Sequence, residues 1–237
     1  MDEMSLDEKS AVRSHLALAL DTNDASVALE LIGELAAFFS IAKVGLELFS
    51  ACGPSVVSEL IATKTKVFVD LKLHDIPTTV GKAARALGQL GASYVTMHAS
   101  GGYDMLAAGV EGLREGATSA GLAEPVALAV TVLTSDELAP AGLITERAEL
   151  AERAGCHGVV CAATDLEVIV GACANLLKVV PGIRLPGGSH DDQARVASPE
   201  QALRAGADLL VVGRAVTGAS DRVEAASAIF ASARGGL

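Results

Sequence analysis

Short apolar runs alternate along the chain with longer stretches that have helical spacing. The runs are rich in Val, Leu and Ile, as strands buried on both faces are. They occupy residues 16–20, 41–46, 67–73, 94–97, 125–132, 158–161, 177–180 and 209–212. The intervening stretches predict helices over residues 24–38, 55–63, 78–90, 103–115, 144–154, 165–174, 199–204 and 221–233. The pattern is therefore strand followed by helix, eight times.

Strands that alternate with helices run parallel, because each helix carries the chain back to the start of the next strand. Eight units in 237 residues predict the α/β class and a single closed (β/α)₈ barrel, the TIM barrel. An open doubly wound sheet is disfavoured, because the first strand ends in Asp21-Thr22-Asn23 and not in a Gly-x-Gly-x-x-Gly turn. We expect residues 1–14 to form an N-terminal extension and residues 15–237 to form the barrel.

Helix ends carry recognisable signals. Asp24 and Asp165 are predicted to cap the helices that follow them. Gly91 and Gly155 are expected to end helices as glycines with left-handed backbone. Pro199 fits the first turn of a helix, where its missing N–H costs nothing.

Composition excludes several functions. The formal net charge is −11, which opposes a nucleic-acid surface, and aromatic residues make up only 3% with no Trp. No apolar run approaches the roughly 20 residues of a membrane span, and the first 14 residues are too polar and acidic for a secretory signal. The four cysteines form no Cys-x-x-Cys pair and are expected to be free thiols in a reducing compartment, so we expect a cytoplasmic protein.

Polar residues fall in or just after the predicted strands, and none lies at a strand start. In a barrel of this type the carboxyl ends of the strands share one face, which carries the active site. The residues concerned are Asp21, Lys43, Asp70, Lys72, Asp75, His98, Thr134, Arg184 and Arg214. Their common position predicts that they converge.

Two aspartates and two lysines are predicted to form the centre of this site. Asp70 and Lys72 lie two residues apart and should project to the same side of a strand. Lys43 interrupts an apolar run and is expected to pair with Asp70, since an unpaired buried lysine is costly. With Asp75 they would form an alternating set of charges. A fixed ammonium can stabilise a carbanion and protonate it, while a fixed carboxylate disfavours a neighbouring substrate carboxylate. The lysines already balance the aspartates, so no metal is expected.

The last two strand ends predict an anion site. Arg184 follows the seventh strand, and Gly213-Arg214 follows the eighth. These two loops often bind phosphate in barrels of this type, although two surface arginines would also fit the pattern. The glycine-rich segment 185–195 between them is expected to be a lid or an ordinary surface loop. His74 and His98 are expected to be supporting residues, and Cys161 a core residue.

These motifs resemble those of bacterial-type orotidine 5′-phosphate decarboxylases over nearly the whole chain. The resemblance rests on Asp70-x-Lys72-x-x-Asp75-Ile-Pro-x-Thr79, Lys43-Val-Gly45, His98-Ala-Ser-Gly-Gly102, Leu133-Thr-Ser135, Pro181-Gly-Ile-Arg184 and Gly213-Arg214-Ala-Val-Thr217. It implies decarboxylation of orotidine 5′-phosphate to UMP without a cofactor. It also implies a homodimer whose two sites lie at the subunit interface.

The resemblance further implies roles for individual residues. Lys72 would protonate C6 of the pyrimidine, within a network of Lys43, Asp70 and Asp75. The implied substrate contacts are Asp21 and Lys43 at the ribose, Thr134 near the base, Arg184, Gln193, Gly213 and Arg214 at the phosphate, and Asp75 and Thr79 toward the neighbouring subunit's site.

Two alternatives remain open at this stage. A Mg²⁺-dependent sugar-phosphate decarboxylase or aldolase of the same barrel group shares Asp-x-Lys-x-x-Asp, although Ile76-Pro77-x-Thr79 disfavours it. A nucleotide-binding barrel without catalytic activity would not need so many charges in one place.

Overall fold

The eight predicted strands form one closed parallel barrel in the computed structural model of the protein, which describes residues 4–133, 140–185 and 197–237. The (β/α)₈ prediction is therefore confirmed. The strands are β1 (Leu16–Ala19), β2 (Ile41–Gly45), β3 (Lys66–Leu73), β4 (Tyr94–His98), β5 (Val126–Val130), β6 (Gly158–Val160), β7 (Leu177–Val180) and β8 (Leu209–Val212). Each strand pairs in parallel with the next, and β8 pairs with β1 to close the ring.

Helices cover the outside of the barrel. They are α1 (Leu6–Ser14), α2 (Ala25–Glu34), α3 (Leu46–Cys52), α4 (Ser55–Ala62), α5 (Pro77–Leu90), α6 (Tyr103–Ala120), α7 (Ala141–Arg153), α8 (Leu166–Ala172), α9 (Pro199–Arg204), α10 (Arg214–Thr217) and α11 (Arg222–Gly236). The short helices α3 and α10 lie directly after strands and were not predicted. Neither is long enough to show a helical repeat of apolar residues.

The helix-end predictions are confirmed except at Asp165. Asp24 accepts hydrogen bonds from the first backbone N–H groups of α2, and Gly91 ends α5 with φ of +89°. Pro199 occupies the first turn of α9. Asp165 instead accepts a hydrogen bond from the backbone N–H of Ala162 and makes no side-chain cap on α8. It closes the short 3₁₀ turn Ala163–Asp165 that precedes the helix, so its oxygen points back along the chain.

The apolar core has two parts, as expected for strands covered on both faces. The larger part lies between the strands and the helices. The smaller part fills the barrel interior and consists of Ala17, Ala19, Ile41, Phe68, Leu128, Val130, Val160, Val179, Leu209 and Val211. The interior is thus a packed core that closes the barrel below its mouth.

Helices α5 and α6 approach each other unusually closely, because glycines line their contact. A Cβ atom on Gly112 would lie 2.2 Å from the carbonyl oxygen of Gly81, and one on Gly116 would lie 2.1 Å from the carbonyl oxygen of Arg85. Any side chain at these two positions would force the helices apart. This contact holds α5 against α6, and α5 follows β3 after a turn of three residues.

The N-terminal segment is helical. Ser5 and Glu8 form a reciprocal capping box at the start of α1, and Val12 is buried against the rest of the protein. Across the described residues, no helix combines the length and the apolar character needed to cross a bilayer.

Candidate active site

A chain of four alternating charges lies at the mouth of the barrel. The Nζ atom of Lys72 lies 2.9 Å from Oδ2 of Asp70. Lys43 Nζ lies 3.9 Å from the same Asp70 oxygen and 3.2 Å from Oδ1 of Asp21. The predicted meeting of Asp70 with both lysines is confirmed, but the nearest carboxylate to Lys43 is Asp21. The order is therefore Asp21, Lys43, Asp70, Lys72.

Three of these side chains are largely withdrawn from solvent. Their exposed fractions are 11% for Lys43, 15% for Asp70 and 33% for Lys72. Removing such charges from water is costly unless each finds an opposite partner. Asp70 partners both lysines and so holds two ammonium groups beside one carboxylate.

Lys72 has an uncommon backbone conformation. Its φ is +50°, and the pairing of β3 with β4 shifts register between Val69 and Leu73. A residue other than glycine in this region costs about 1–3 kcal/mol, and such strain is concentrated at functional sites. The regular strand that the sequence predicted is therefore interrupted at Lys72, although its side chain still reaches Asp70.

The buried hydroxyl of Thr96 connects the two residues of this pair. Thr96 lies on β4 with no exposed surface. Its Oγ1 atom accepts a hydrogen bond of 2.9 Å from the backbone N–H of Lys72 and donates one of 2.9 Å to Oδ1 of Asp70. The sequence interpretation missed this residue. The available signal was the alternation of Tyr94, Thr96 and His98. Side chains two residues apart on a strand share a side, so Thr96 lies on the same side as Tyr94 and His98.

A cavity of about 280 Å³ opens beside these charges. Its lining residues are Ala19, Asp21, Lys43, Phe68, Asp70, Lys72, Val130, Val132, Leu133, Val160, Pro181, Gly182, Arg184, Val211, Gly213 and Arg214. Five of them, Ala19, Phe68, Val130, Val160 and Val211, also belong to the interior core. The cavity thus has an apolar floor and a wall that carries both signs of charge.

Two arginines line the cavity in addition to the lysine pair. Arg184 follows β7, is buried, and donates from Nη1 to the carbonyl oxygen of Ile183 over 2.9 Å. Arg214 begins α10 directly after Gly213 and the end of β8. The predicted convergence of the seventh and eighth strand ends is confirmed, and it gives the cavity two planar, permanently charged donor groups.

Asp75 and Thr79 face a different surface. Both line an open groove on the outside of the barrel mouth, together with Leu46 and Phe49. The carboxylate of Asp75 accepts a hydrogen bond of 2.6 Å from the backbone N–H of Ile76. Within one chain, Asp75 therefore does not join Asp70 in the cavity. Lys72 lines both the cavity and the groove and so lies at the boundary between them.

The two histidines stack on each other beside the site. The ring centroids of His74 and His98 are 5.5 Å apart, and Nδ1 of His98 accepts a hydrogen bond from the backbone N–H of Ser100. Burial and the nearby charges of His74, Arg147 and Lys72 hold the pKa of His98 below its usual value. Neither histidine is among the described residues that line the cavity, and a supporting role remains the prediction for both.

The four cysteines are free thiols, and three of them are buried in the core. Burial raises the pKa of the Cys156 thiol to about 12, and Cys161 has no exposed surface. The prediction of a core role for Cys161 agrees with this burial. Residues 4–133, 140–185 and 197–237 contain no group of three or more His, Cys, Asp or Glu side chains that could hold a metal ion.

Comparison with known proteins shows to which family the chain belongs. Residues 14–229 match the family model described as Orotidine 5′-phosphate decarboxylase / HUMPS family. The chain belongs to this family. The resemblance expected from the sequence motifs is thereby confirmed.

Individual relatives agree with this family. Orotidine 5′-phosphate decarboxylase of Legionella pneumophila (strain Lens) is 44% identical over 226 residues, which cover 91% of this chain and 97% of the relative. The enzyme of the same name from Nitratidesulfovibrio vulgaris (strain DP4) is 45% identical over 228 residues, covering 92% and 97%. A crystal structure of orotidine 5′-phosphate decarboxylase from Lactobacillus acidophilus superposes with a TM-score of 0.78 at 34% identity, covering 92% of this chain and 98% of that one.

The predicted site residues of this family member fall into three groups. The structure brings together Asp21, Lys43, Asp70, Lys72, Arg184, Gly213 and Arg214 around one cavity. It separates Asp75 and Thr79 from them. Thr134, Gln193 and most of the expected lid lie outside the described residues.

Proposed function

We propose that this protein decarboxylates orotidine 5′-phosphate to UMP and CO₂, the last step of de novo UMP synthesis. One observation carries the proposal: a single cavity joins a lysine–aspartate–lysine centre to two arginines. The family relationship and the names of the relatives support the same reaction.

Lys72 is the proposed proton donor. When the bond between C6 and the carboxylate carbon breaks, CO₂ leaves and the electron pair stays on C6. The Lys72 ammonium stabilises this carbanion and then transfers a proton from Nζ to C6, which gives UMP. The contact of 2.9 Å with Asp70 holds the ammonium in place before the reaction, and its exposed fraction of 33% leaves it accessible to substrate.

Asp70 has two proposed effects. It keeps Lys43 and Lys72 close together in spite of their mutual repulsion. It also lies where its charge raises the energy of a substrate carboxylate more than that of the transition state, in which this charge is being lost. Asp21 and Lys43, which are joined over 3.2 Å, are the proposed ribose contacts, and Thr134 is a proposed contact near the base.

The arginine end of the cavity is the proposed phosphate site. Arg184, Gly213 and Arg214 line it, and Gln193 on the segment 185–195 is proposed to join them. A guanidinium matches a phosphate with two parallel N–H donors. Binding at this end, away from the reacting carbon, supplies energy for ordering the site and for closing segment 185–195, if that segment is a lid.

A homodimer is the proposed assembly, with each site completed by the partner. The groove that contains Asp75 and Thr79 adjoins Lys72. Ile76, which follows Asp75 in the chain, has 66% of its surface exposed. A two-fold contact through this groove would bring each subunit's Asp75 toward the partner subunit's charged centre. If the assembly is required, activity per chain falls on dilution below the dimer dissociation constant. Full activity in a demonstrably monomeric sample contradicts the shared site.

No metal or other cofactor is proposed, because Lys43 and Lys72 already neutralise the carboxylates around them. The small nucleotide is the proposed ligand, without a role for nucleic acid or membranes. Free cysteines fit a reducing compartment, so the cytoplasm is the proposed location.

Loss of orotidine 5′-phosphate absorbance on addition of purified protein tests the function. The protein is produced in a host that lacks its own enzyme, and the Lys72→Ala variant serves as the background control. We expect wild-type turnover that EDTA leaves unchanged. The absence of turnover contradicts the function, and a rate abolished by EDTA and restored by Mg²⁺ favours the metal-dependent alternative.

A further inference from the structure

Within the part of the chain that the structure describes, the Thr96 hydroxyl links the Asp70 carboxylate to the Lys72 backbone. A hydroxyl has one hydrogen to donate and lone pairs to accept with. The Thr96 hydroxyl donates its hydrogen to Oδ1 of Asp70 over 2.9 Å. One of its lone pairs accepts the backbone N–H of Lys72, also over 2.9 Å. The group is thus engaged in both directions.

The contact with Lys72 lies at the strained point of β3. The β3–β4 ladder skips from Val69 to Leu73, and Lys72 within this gap has a φ of +50°. Its N–H therefore bonds to a side chain of β4 where a regular ladder would supply a backbone carbonyl. Without the Thr96 hydroxyl, a partly buried N–H would lose its partner at the residue that holds this conformation.

The contact with Asp70 restricts the rotation of the carboxylate. Oδ1 receives hydrogen bonds from Thr96 and from Nζ of Lys72, while Oδ2 receives a second contact from the same ammonium. Loss of the Thr96 bond frees the carboxylate to turn about its side-chain torsions. The ammonium that follows it would then leave the position from which it acts.

We infer that Thr96 is a positioning residue, which sets the orientation of the Asp70–Lys72 pair without touching the substrate. This inference rests on the proposed function, in which Lys72 protonates C6. Thr96 has no exposed surface and is not among the residues that line the cavity as described. Its effect should therefore appear in the chemical step and not in substrate binding.

The test compares Thr96→Val, which removes the hydroxyl and keeps the shape, with Thr96→Ser, which keeps the hydroxyl. Thr131→Val is the matched control. Thr131 is equally buried, and its hydroxyl donates to the carbonyl oxygen of Val160 over 3.1 Å, with no charged side chain in that bond. Should Thr96→Val not fold, Thr96→Ala removes the same hydroxyl without changing the design.

We expect kcat of Thr96→Val to fall about 10- to 100-fold, the usual effect of losing a group that orients a reacting residue. KM should change by less than about threefold, because the arginine end is untouched. Thr96→Ser should recover most of kcat, and Thr131→Val should lose less than about twofold in kcat. An unchanged kcat in Thr96→Val overturns the inference, as does a serine variant no better than valine or an equal loss in Thr131→Val.

Crystal structures of wild type and Thr96→Val separate this inference from the proposed function. If wild type shows no turnover of orotidine 5′-phosphate, the proposed function fails, and the coordinates still decide the role of Thr96. A shifted Asp70 carboxylate and Lys72 Nζ support positioning. An unchanged pair overturns it.

Discussion

Asp70 and Asp75 belong to one short stretch of chain, residues 70–75, but face different surroundings. The Asp70 side chain is 15% exposed and receives hydrogen bonds from Lys72 and Thr96. Asp75 is exposed and bonded to the N–H of the next residue. The first half of the stretch therefore completes a site within its own chain. The second half presents charge to the outside, where another chain can use it.

The backbone explains this separation. β3 ends at Leu73, and Pro77 begins α5, so the chain must leave the barrel wall between them. The close glycine contact holds α5 against α6 on the outside of the barrel. Asp75 lies on the connecting turn and lines the outer groove instead of the cavity.

Replacement of Lys72, which lies in the inner half of the stretch with Asp70, should have the largest effect on kcat. Lys72→Ala removes the proposed proton donor, and we expect kcat to fall by about 10²–10⁴-fold or more, the range that a general acid contributes. Circular dichroism and the thermal midpoint should show a folded protein, because Lys43 still pairs with Asp70 and the apolar core is unchanged. Substantial remaining activity would mean that another group protonates C6.

Replacement of Asp75 should be nearly as harmful, because the proposed dimer brings this carboxylate to the site of the partner subunit. Asp75→Asn keeps the size of the side chain and removes its charge, so we expect a loss of kcat on the order of 10²-fold. Each chain would keep an intact Lys43–Asp70–Lys72 centre. Wild-type kinetics in this variant would show that the outer half of the stretch has no part in catalysis.

A smaller effect is expected from crowding Lys43. A Cβ atom at Gly45 would lie 3.0 Å from Nζ of Lys43, closer than side-chain atoms normally approach. The lysine can move by a few tenths of an ångström, so Gly45→Ala should lower kcat/KM by about two- to tenfold. Gly33→Ala on α2 is the control, since its new methyl would meet no atom within 4 Å. Equal kinetics in the two variants would argue against a fixed position for Lys43.

The smallest expected effect is on stability and depends on pH. The pKa of His98 is held below its usual value in the folded protein, so the unfolded chain binds the proton more readily. The resulting stabilisation is complete above the ordinary value of 6.5 and is lost as pH falls through the lower, folded value. His98→Asn can still accept the Ser100 N–H. Its thermal midpoint should decrease less than that of wild type between pH 7.5 and pH 5.5, and an equal decrease would assign the pH dependence to other groups.

Much of the fold and part of the site follow from the sequence. All eight strands are visible as apolar runs, and a lysine inside such a run, Lys43, marks the barrel mouth by itself. Thr96 could not be distinguished in this way, because threonine is common in strands for its β-branched shape alone. The helix α3 is too short for a periodic pattern, and the positive φ of Lys72 has no sequence signal, since lysine does not favour it.

The central claim is that one stretch of chain serves two sites, and mixing two inactive variants tests it most directly. Equal amounts of Lys72→Ala and Asp75→Asn are unfolded together, refolded as a mixture and assayed with orotidine 5′-phosphate, beside each variant treated alone. Random pairing makes half of the dimers mixed, and each mixed dimer has one site with both residues intact, so we predict about a quarter of wild-type activity. A mixture no more active than the two variants alone would contradict the shared site.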